Sequence, residues 1–349
     1  MGVTSHDVAR LAGVSQPTVS RALRDQAGVS AATRKKVRDA ARALGYVPSQ
    51  AGRALSTQTT ARIGIVSAEL TNPFYPTVLE PLHDALAEAG YRTILITDRG
   101  DHPVELEPLL NGSLDGVVLT TTERGSSLPH ELMRRGVPFV LLNRVVDGAA
   151  TDEIVADNRA GAAQVAELLV SLGHRVVAAI LGPECTSTGD ERYQGFRERL
   201  AELRVRLDPR YVLRGPFSEA SGREGLAALT ALRPRPTALF CGNDVIALGA
   251  CNGARTLGIE VPRDLTVVGF DDIPMAAWDT FALTTVRTDL GAMARTAASL
   301  ILRRIQTPDA PVRRVVLPAT IVRRRTDAPP SASSSLPPIP EAPASRGAS

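Results

Sequence analysis

The sequence has little cysteine, no long apolar run and none of the short motifs that mark common enzymes. Its three cysteines, Cys185, Cys241 and Cys251, show no CxxC spacing. That argues against a disulfide framework and suits a reduced compartment, with each thiol a small buried hydrophobe. No apolar stretch nears the ~20 residues of a membrane span. His6, Asp7 and Arg10 interrupt residues 1–20, where a signal peptide needs an apolar core, so a cytoplasmic location is expected. GxxxxGK[ST], GxSxG and HExxH are all missing. The five histidines, His6, His83, His102, His130 and His174, are scattered without metal-like spacing. Neither catalysis nor a metal or cofactor is expected, and His174, after a helix-ending glycine in "LGHR", reads as a structural partner.

What is present divides unevenly. The 349 residues suffice for two or three domains and carry a net charge of +3. Residues 1–60 hold nine Arg and Lys against three Asp and Glu, a balance of +6 that leaves −3 on the remainder. A small basic head on a near-neutral body points to an N-terminal nucleic-acid module.

Residues 1–46 read as three short helices. Thr4 is placed to cap a helix over 5–12 with Val8 and Ala12 on one face, and Gly13 gives the backbone freedom for a sharp turn. Ser15 is placed to cap a second helix over 16–23, which tolerates Pro17 in its first turn and buries Val19 and Leu23. A third starts at Ser30, runs through Val37, Ala40, Ala41 and Leu44, and ends at Gly45; Lys35 and Lys36 form a solvated face. Helices this short are marginal alone but stable around one shared core. Two helices abutting across a tight turn give the helix-turn-helix plan, in which the second enters the major groove of DNA.

Residues 47–61 are a short polar linker. Residues 62–325 alternate apolar runs with helical patterns. Candidate strands are 62–68, 92–97, 116–120, 138–142, 176–181, 211–214, 237–241 and 265–270; "LEPLHDALAEAG" (79–90) and "AGAAQVAELLVSLG" (160–173) typify the helices between them. Such alternation predicts an α/β core of two doubly wound parallel-sheet subdomains. The first spans about 62–157 and 288–325, the second about 158–287, with crossovers at Asp157-Asn158 and within "LTTVRTD" (283–289). "ELEPLL" (105–110), interrupted by Pro108, makes a shortened crossover. Residues 326–349, rich in Pro, Ser and Ala, cannot offset their ordering entropy and are expected to be disordered. They lack a leucine heptad, so they offer no coiled-coil route to a higher oligomer.

"DVARLAGVSQPTVSRAL", "VSAATRKKVRDAARALGYVPS", "DNRAGA", "GHR", "GNDVIALGA" and "VVGFDDIP" together resemble the lactose/galactose repressor (LacI/GalR) family of bacterial transcription regulators, in its order and spacing. The resemblance covers about residues 3–325. It implies a helix-turn-helix head, a hinge helix in "PSQAGRALST" (48–57), and a periplasmic-binding-protein-like core in which three segments cross between subdomains. The implied function is a repressor that binds palindromic operator DNA as a homodimer under the control of a small-molecule effector, without a membrane partner. A periplasmic sugar-binding transport protein is the rival for the core alone; it fails on the basic head and the missing signal sequence.

The resemblance assigns roles by position. Gln16, Pro17 and Arg21 match the base-reading places of the recognition helix, with Arg21 suited to a guanine edge and Pro17 to apolar contact. Thr4 joins the DNA-binding set, and Ser15, Thr18 and Ser20 suit phosphates. Leu55 matches the leucine wedged into the minor groove at the operator centre, on a hinge weakened by Gly52. Positions matching the effector pocket are Phe74, Tyr75, Thr121, Glu123, Asn143, Arg144, Arg192, Phe217, Asn243 and Asp271. Trp278 is assigned to the pocket or to the dimer face, and Asp272 to a cap or structural bond. Aromatic faces with amides, a carboxylate and guanidinium groups suit a polyhydroxylated ring, so the effector is expected to be a sugar or sugar derivative. Purine-responsive members carry an arginine at the position of Thr186, which argues against a nucleobase.

Overall fold

The computed structural model describes residues 3–23, 25, 27–46, 59–67, 70–97, 109 and 111–331. The chain forms two compact units, Met1–Ala61 and Arg62–Ser349. The whole of the expected hinge helix (48–57), with Gly52 and Leu55, lies outside the described residues, as do most of the expected crossover at 105–110 and all of 332–349.

The head consists of α1 (Ser5–Ala12), α2 (Gln16–Leu23) and α3 (Ala31–Ala43). The Thr4 N–H and hydroxyl both donate to the Asp7 carboxylate, at 3.0 and 2.7 Å, and hold that carboxyl below its usual range. Gly13 ends α1 in the left-handed region at φ 65°, turning the chain into α2. Ser30 caps α3, accepting from the Thr33 N–H at 3.2 Å. Val8, Ala9, Val19, Ala22, Val37, Ala40 and Ala41 make the shared core; Ala12 and Leu23 only flank it.

The second unit begins with β1 (Arg62–Ser67), α4 (Phe74–Glu88), β2 (Arg92–Thr97), β3 (Gly116–Leu119), α5 (Leu128–Arg134), β4 (Phe139–Leu142) and β5 (Asp152–Ala156). The chain then enters α6 (Asn158–Ser171), β6 (Val177–Leu181), α7 (Ser187–Glu202), β7 (Val212–Arg214), α8 (Glu219–Thr230), β8 (Ala238–Cys241), α9 (Asp244–Thr256) and β9 (Thr266–Val268). It finishes with β10 (Thr285–Arg287), α10 (Leu290–Gln306), β11 (Arg314–Leu317) and β12 (Thr320–Val322). One parallel sheet has the order β11-β5-β4-β3-β1-β2, the other β7-β6-β8-β9, and β10 pairs antiparallel with β12. Strand order reverses between β1 and β3 and again between β6 and β8. Open α/β sheets bind ligands outside the carboxyl ends of strands at such places.

The expected two-sheet architecture is present, with three differences. The strands β5, β10, β11 and β12 were not among those expected. Fully buried Asp152 opens β5 with a charge, and it is satisfied by Arg303, Arg304 and the Arg313 N–H rather than by solvent. The last crossing, between β11 and β12, returns the chain to the second subdomain, where residues up to 325 were assigned to the first. Finally, 326–331 are packed, not disordered. The buried Thr326 hydroxyl donates to the Val267 carbonyl at 2.7 Å, and the Ala328 carbonyl lies 2.9 Å from His174 Nε2. These backbone bonds order a polar segment that has little apolar surface to bury.

Candidate functional site

On the head, α2 presents Pro17 and Arg21 as exposed residues, with Gln16, Thr18 and Ser20 half-buried. The Ser15 carbonyl accepts the Thr18 and Val19 N–H groups, and the Ser15 and Thr18 hydroxyls share a 2.8 Å hydrogen bond. Gln16 Nε2 donates to Ser5 Oγ at 3.3 Å, tying the start of α2 to α1. Among the described residues Arg21 makes only a long 3.5 Å contact to the Pro17 carbonyl, which leaves most of its guanidinium donors for a partner. Thr4, expected among the DNA-binding residues, is occupied with the α1 cap.

The second unit has a narrow cleft lined from both sheets. Asn72, Phe74 and Tyr75 follow β1, and Asn143 and Arg144 follow β4. From the other subdomain come Thr188 and Arg192 on α7, Phe217 after β7, Asn243 after β8 and Asp271 after β9. The carboxyl end of a strand supplies nearly every one. Phe74 and Tyr75 meet edge to face with centroids 5.4 Å apart. A Cβ on Gly182 would overlap the Phe217 ring, so glycine there is what admits the ring.

Polar groups in the cleft are held by specific bonds. Arg192 donates from Nε to Asn158 Oδ1 (2.9 Å), from Nη1 to the Gly242 carbonyl (2.6 Å) and from Nη2 to Asp271 Oδ1 (2.9 Å). Its guanidinium also stacks 3.8 Å from the Phe270 ring centroid. Burial raises the Asp271 carboxyl above its usual range, and Arg192 opposes that shift. Behind it, Asp244 is pushed well above the carboxylate range by burial and by Asp271, against hydrogen bonds from Thr285 and the Ile273 N–H. Asn243 Oδ1 caps α9 by accepting the Ile246 N–H at 3.0 Å, which leaves its amide hydrogens for a ligand. Asn143 and Asp271 have φ of 72° and 113°, a strained backbone for non-glycine residues that clusters at functional sites.

Several expected positions fall elsewhere. Trp278 is 57% exposed beyond the short 3₁₀ turn Pro274–Ala277 and does not line the cleft. Exposed Glu123 sits beside Cys185 on the rim. Thr121 lies behind the lining, its carbonyl accepting from Arg144. Cys185 is exposed rather than buried. Asp272 is structural as expected, paired with Arg287 and Arg324. Asn72 and Thr188 were missed. Asn72 had a signal in its Asn-Pro step after a strand; Thr188, inside the first turn of a helix, had none. Among the described residues no group of three acidic, His or Cys side chains could hold a metal, and no helix is long and apolar enough to cross a membrane.

Comparison with known proteins agrees with this layout. The family described as "Bacterial regulatory proteins, lacI family" matches residues 4–49, and the "Periplasmic binding protein-like domain" matches 166–326. The chain is 31% identical over 332 residues to the HTH-type transcriptional repressor PurR of Pectobacterium atrosepticum, covering 93% of this chain and 96% of that one. It is 34% identical over 329 residues to the HTH-type transcriptional regulator CelR of Thermobifida fusca, covering 91% and 96%. Among solved structures, a CelR–cellobiose complex aligns with TM-score 0.71 at 32% identity, over 93% of this chain and 100% of that one. The lac repressor dimer bound to operator and the anti-inducer ONPF aligns with TM-score 0.84 at 26% identity, over 94% and 100%. With similarity sustained through head and core alike, the chain belongs to the lacI family of bacterial regulatory proteins and is a DNA-binding transcriptional regulator.

Proposed function

We propose that this regulator is a cytoplasmic repressor that holds a palindromic operator as a homodimer and changes its grip when a sugar or sugar derivative enters the cleft. The observation that carries the proposal is the cleft itself. Aromatic rings from both subdomains face a set of amides, two guanidinium groups and a carboxylate at the carboxyl ends of two sheets. Aromatic faces stack on sugar C–H surfaces while the polar groups satisfy hydroxyls. The lining pairs no nucleophile with a base, which favours binding over turnover.

In this proposal Arg21, Gln16 and Pro17 read bases, Ser15, Thr18 and Ser20 meet phosphates, and Leu55 wedges the minor groove. The dimer face includes Ile94 and Leu95, 41% and 46% exposed on the edge strand β2, together with Trp278. Selection from random duplex DNA, followed by gel shift on the selected site in the presence of a sugar library, tests the whole. A two-fold symmetric site whose affinity one sugar alters supports it; no duplex binding at any sequence overturns it.

A further inference from the structure

The cleft carries more positive charge than its own residues neutralise. Its lining holds two arginines and one aspartate, and Arg192 has Asp271 at 2.9 Å. The hydrogen-bond partners of Arg144 are uncharged, and the one carboxylate that feels its charge, Asp271, is bonded to Arg192 instead. Arg144 is 9% exposed; Nη1 donates to the Thr121 carbonyl at 3.0 Å and Nη2 to the Tyr75 hydroxyl at 3.3 Å. Among the described residues its Nε is buried with no hydrogen-bond partner, as are the hydroxyls of Ser67, Thr121 and Thr122 at the carboxyl ends of β1 and β3. The Phe217 ring lies 5.4 Å from the guanidinium carbon and contributes only its π face.

A buried guanidinium bonded to neutral acceptors, beside a carboxylate already taken by Arg192, recovers neither its hydration nor a full counter-charge. An oxyanion supplies both, and the planar fork of arginine matches carboxylate and phosphate geometry. Resting on the effector cleft proposed above, we infer that the effector is a sugar derivative bearing a carboxylate or phosphate, whose oxygens pair with the Arg144 guanidinium. Arg144 belongs to the first subdomain, Arg192 and Asp271 to the second. A ligand holding its acid group to Arg144 and its ring hydroxyls to Asp271 and Asn243 ties the two together. It therefore distinguishes a closed cleft from an open one, which is what a ligand must do to shift a conformational equilibrium.

The test is calorimetric titration of the full chain, at constant ionic strength, with glucose, glucuronate, glucose 6-phosphate and inorganic phosphate, for wild type, Arg144→Lys and Arg144→Gln. At least one of the three anions should bind wild type, lose at least about ten-fold in affinity in Arg144→Gln, and lose less in Arg144→Lys. Preference between glucuronate and glucose 6-phosphate tells a carboxylate from a phosphate. If no anion binds wild type, or anions bind Arg144→Gln equally well, the inference is overturned. If glucose binds as tightly as its acidic counterparts and alters operator affinity, the anionic site is wrong while the effector cleft stands. If anions bind through Arg144 without altering operator affinity, the anionic site stands and the effector role falls.

Discussion

Arg124 and Asp190 join the two core subdomains: Nη1 of Arg124, on the loop after β3, donates to Asp190 Oδ2 on α7 at 2.8 Å. Neighbouring groups repeat the tie. The Arg124 N–H donates to the Cys185 carbonyl at 2.8 Å, and the Val145 N–H to Ser187 Oγ at 3.0 Å. All three must part for this rim of the cleft to open. A partly exposed pair of this kind contributes about 0.2–1 kcal/mol, so Arg124→Ala should shift the ratio of open to closed cleft by up to about five-fold. Small-angle scattering with and without effector reads the shift, and an unchanged profile would show that the pair does not latch the cleft.

Arg192 and Asp271 form a buried pair, with side chains 4% and 7% exposed. Removing one partner of such a pair costs about 3–5 kcal/mol because the other charge is left without compensation. Asp271→Ala should therefore lower stability as well as the effector response, whereas Asp271→Asn, which can keep the hydrogen bond from Arg192 but not its counter-charge, should lose less stability while losing the response. Urea unfolding of both variants checks this; an Asp271→Ala midpoint equal to wild type would remove the structural half of the role.

Arg21 is exposed on α2 with most of its donors uncommitted. A bidentate contact to guanine discriminates by about 1–3 kcal/mol. Arg21→Ala should relax the preference at one G·C pair in each half-site, more than it weakens binding to unrelated DNA. Competition against singly substituted operators measures both, and a uniform loss across all sequences would make Arg21 a phosphate contact.

His174 lies between Thr237 Oγ1, 2.8 Å from Nδ1, and the Ala328 carbonyl, 2.9 Å from Nε2. Burial lowers its pKa below the ordinary 6.5, so the folded chain favours the neutral ring. The unfolded chain takes up the proton first as pH falls. The contribution of His174 to stability is thus full above about pH 6.5 and is lost as pH drops through the lower folded value. Urea midpoints between pH 5 and 8 should fall less steeply with acid in His174→Asn than in wild type. Parallel slopes would show that another group titrates.

Much of this was legible in the sequence because strand ends and caps leave local marks. Phe74, Asn243 and Asp271 each follow an apolar run that could only be a strand, and Gly13 between two short helices could only be a turn. Other features depend on distant parts of the chain. The positive φ of Asn143 and Asp271 is imposed by tertiary packing. Asp152 hid the start of β5 because its arginine partners lie about 150 residues away. Trp278 is near Asp271 in sequence, yet the intervening 3₁₀ turn carries it to the surface. Residues 326–331 have the composition of a loose tail, and only the hydrogen bonds to Val267, Thr266 and His174 show otherwise.

The central claim is that occupancy of the cleft sets the grip on DNA. The most direct measurement is operator affinity, by fluorescence anisotropy, across a titration of a calorimetrically verified cleft ligand, for wild type and Asp271→Asn. Allosteric coupling of about 1–3 kcal/mol predicts a change of at least about five-fold in wild type. In Asp271→Asn the change should vanish at the same ligand concentrations, with affinity in the absence of ligand preserved. A ligand that saturates the wild-type cleft and leaves operator affinity unchanged would contradict the account.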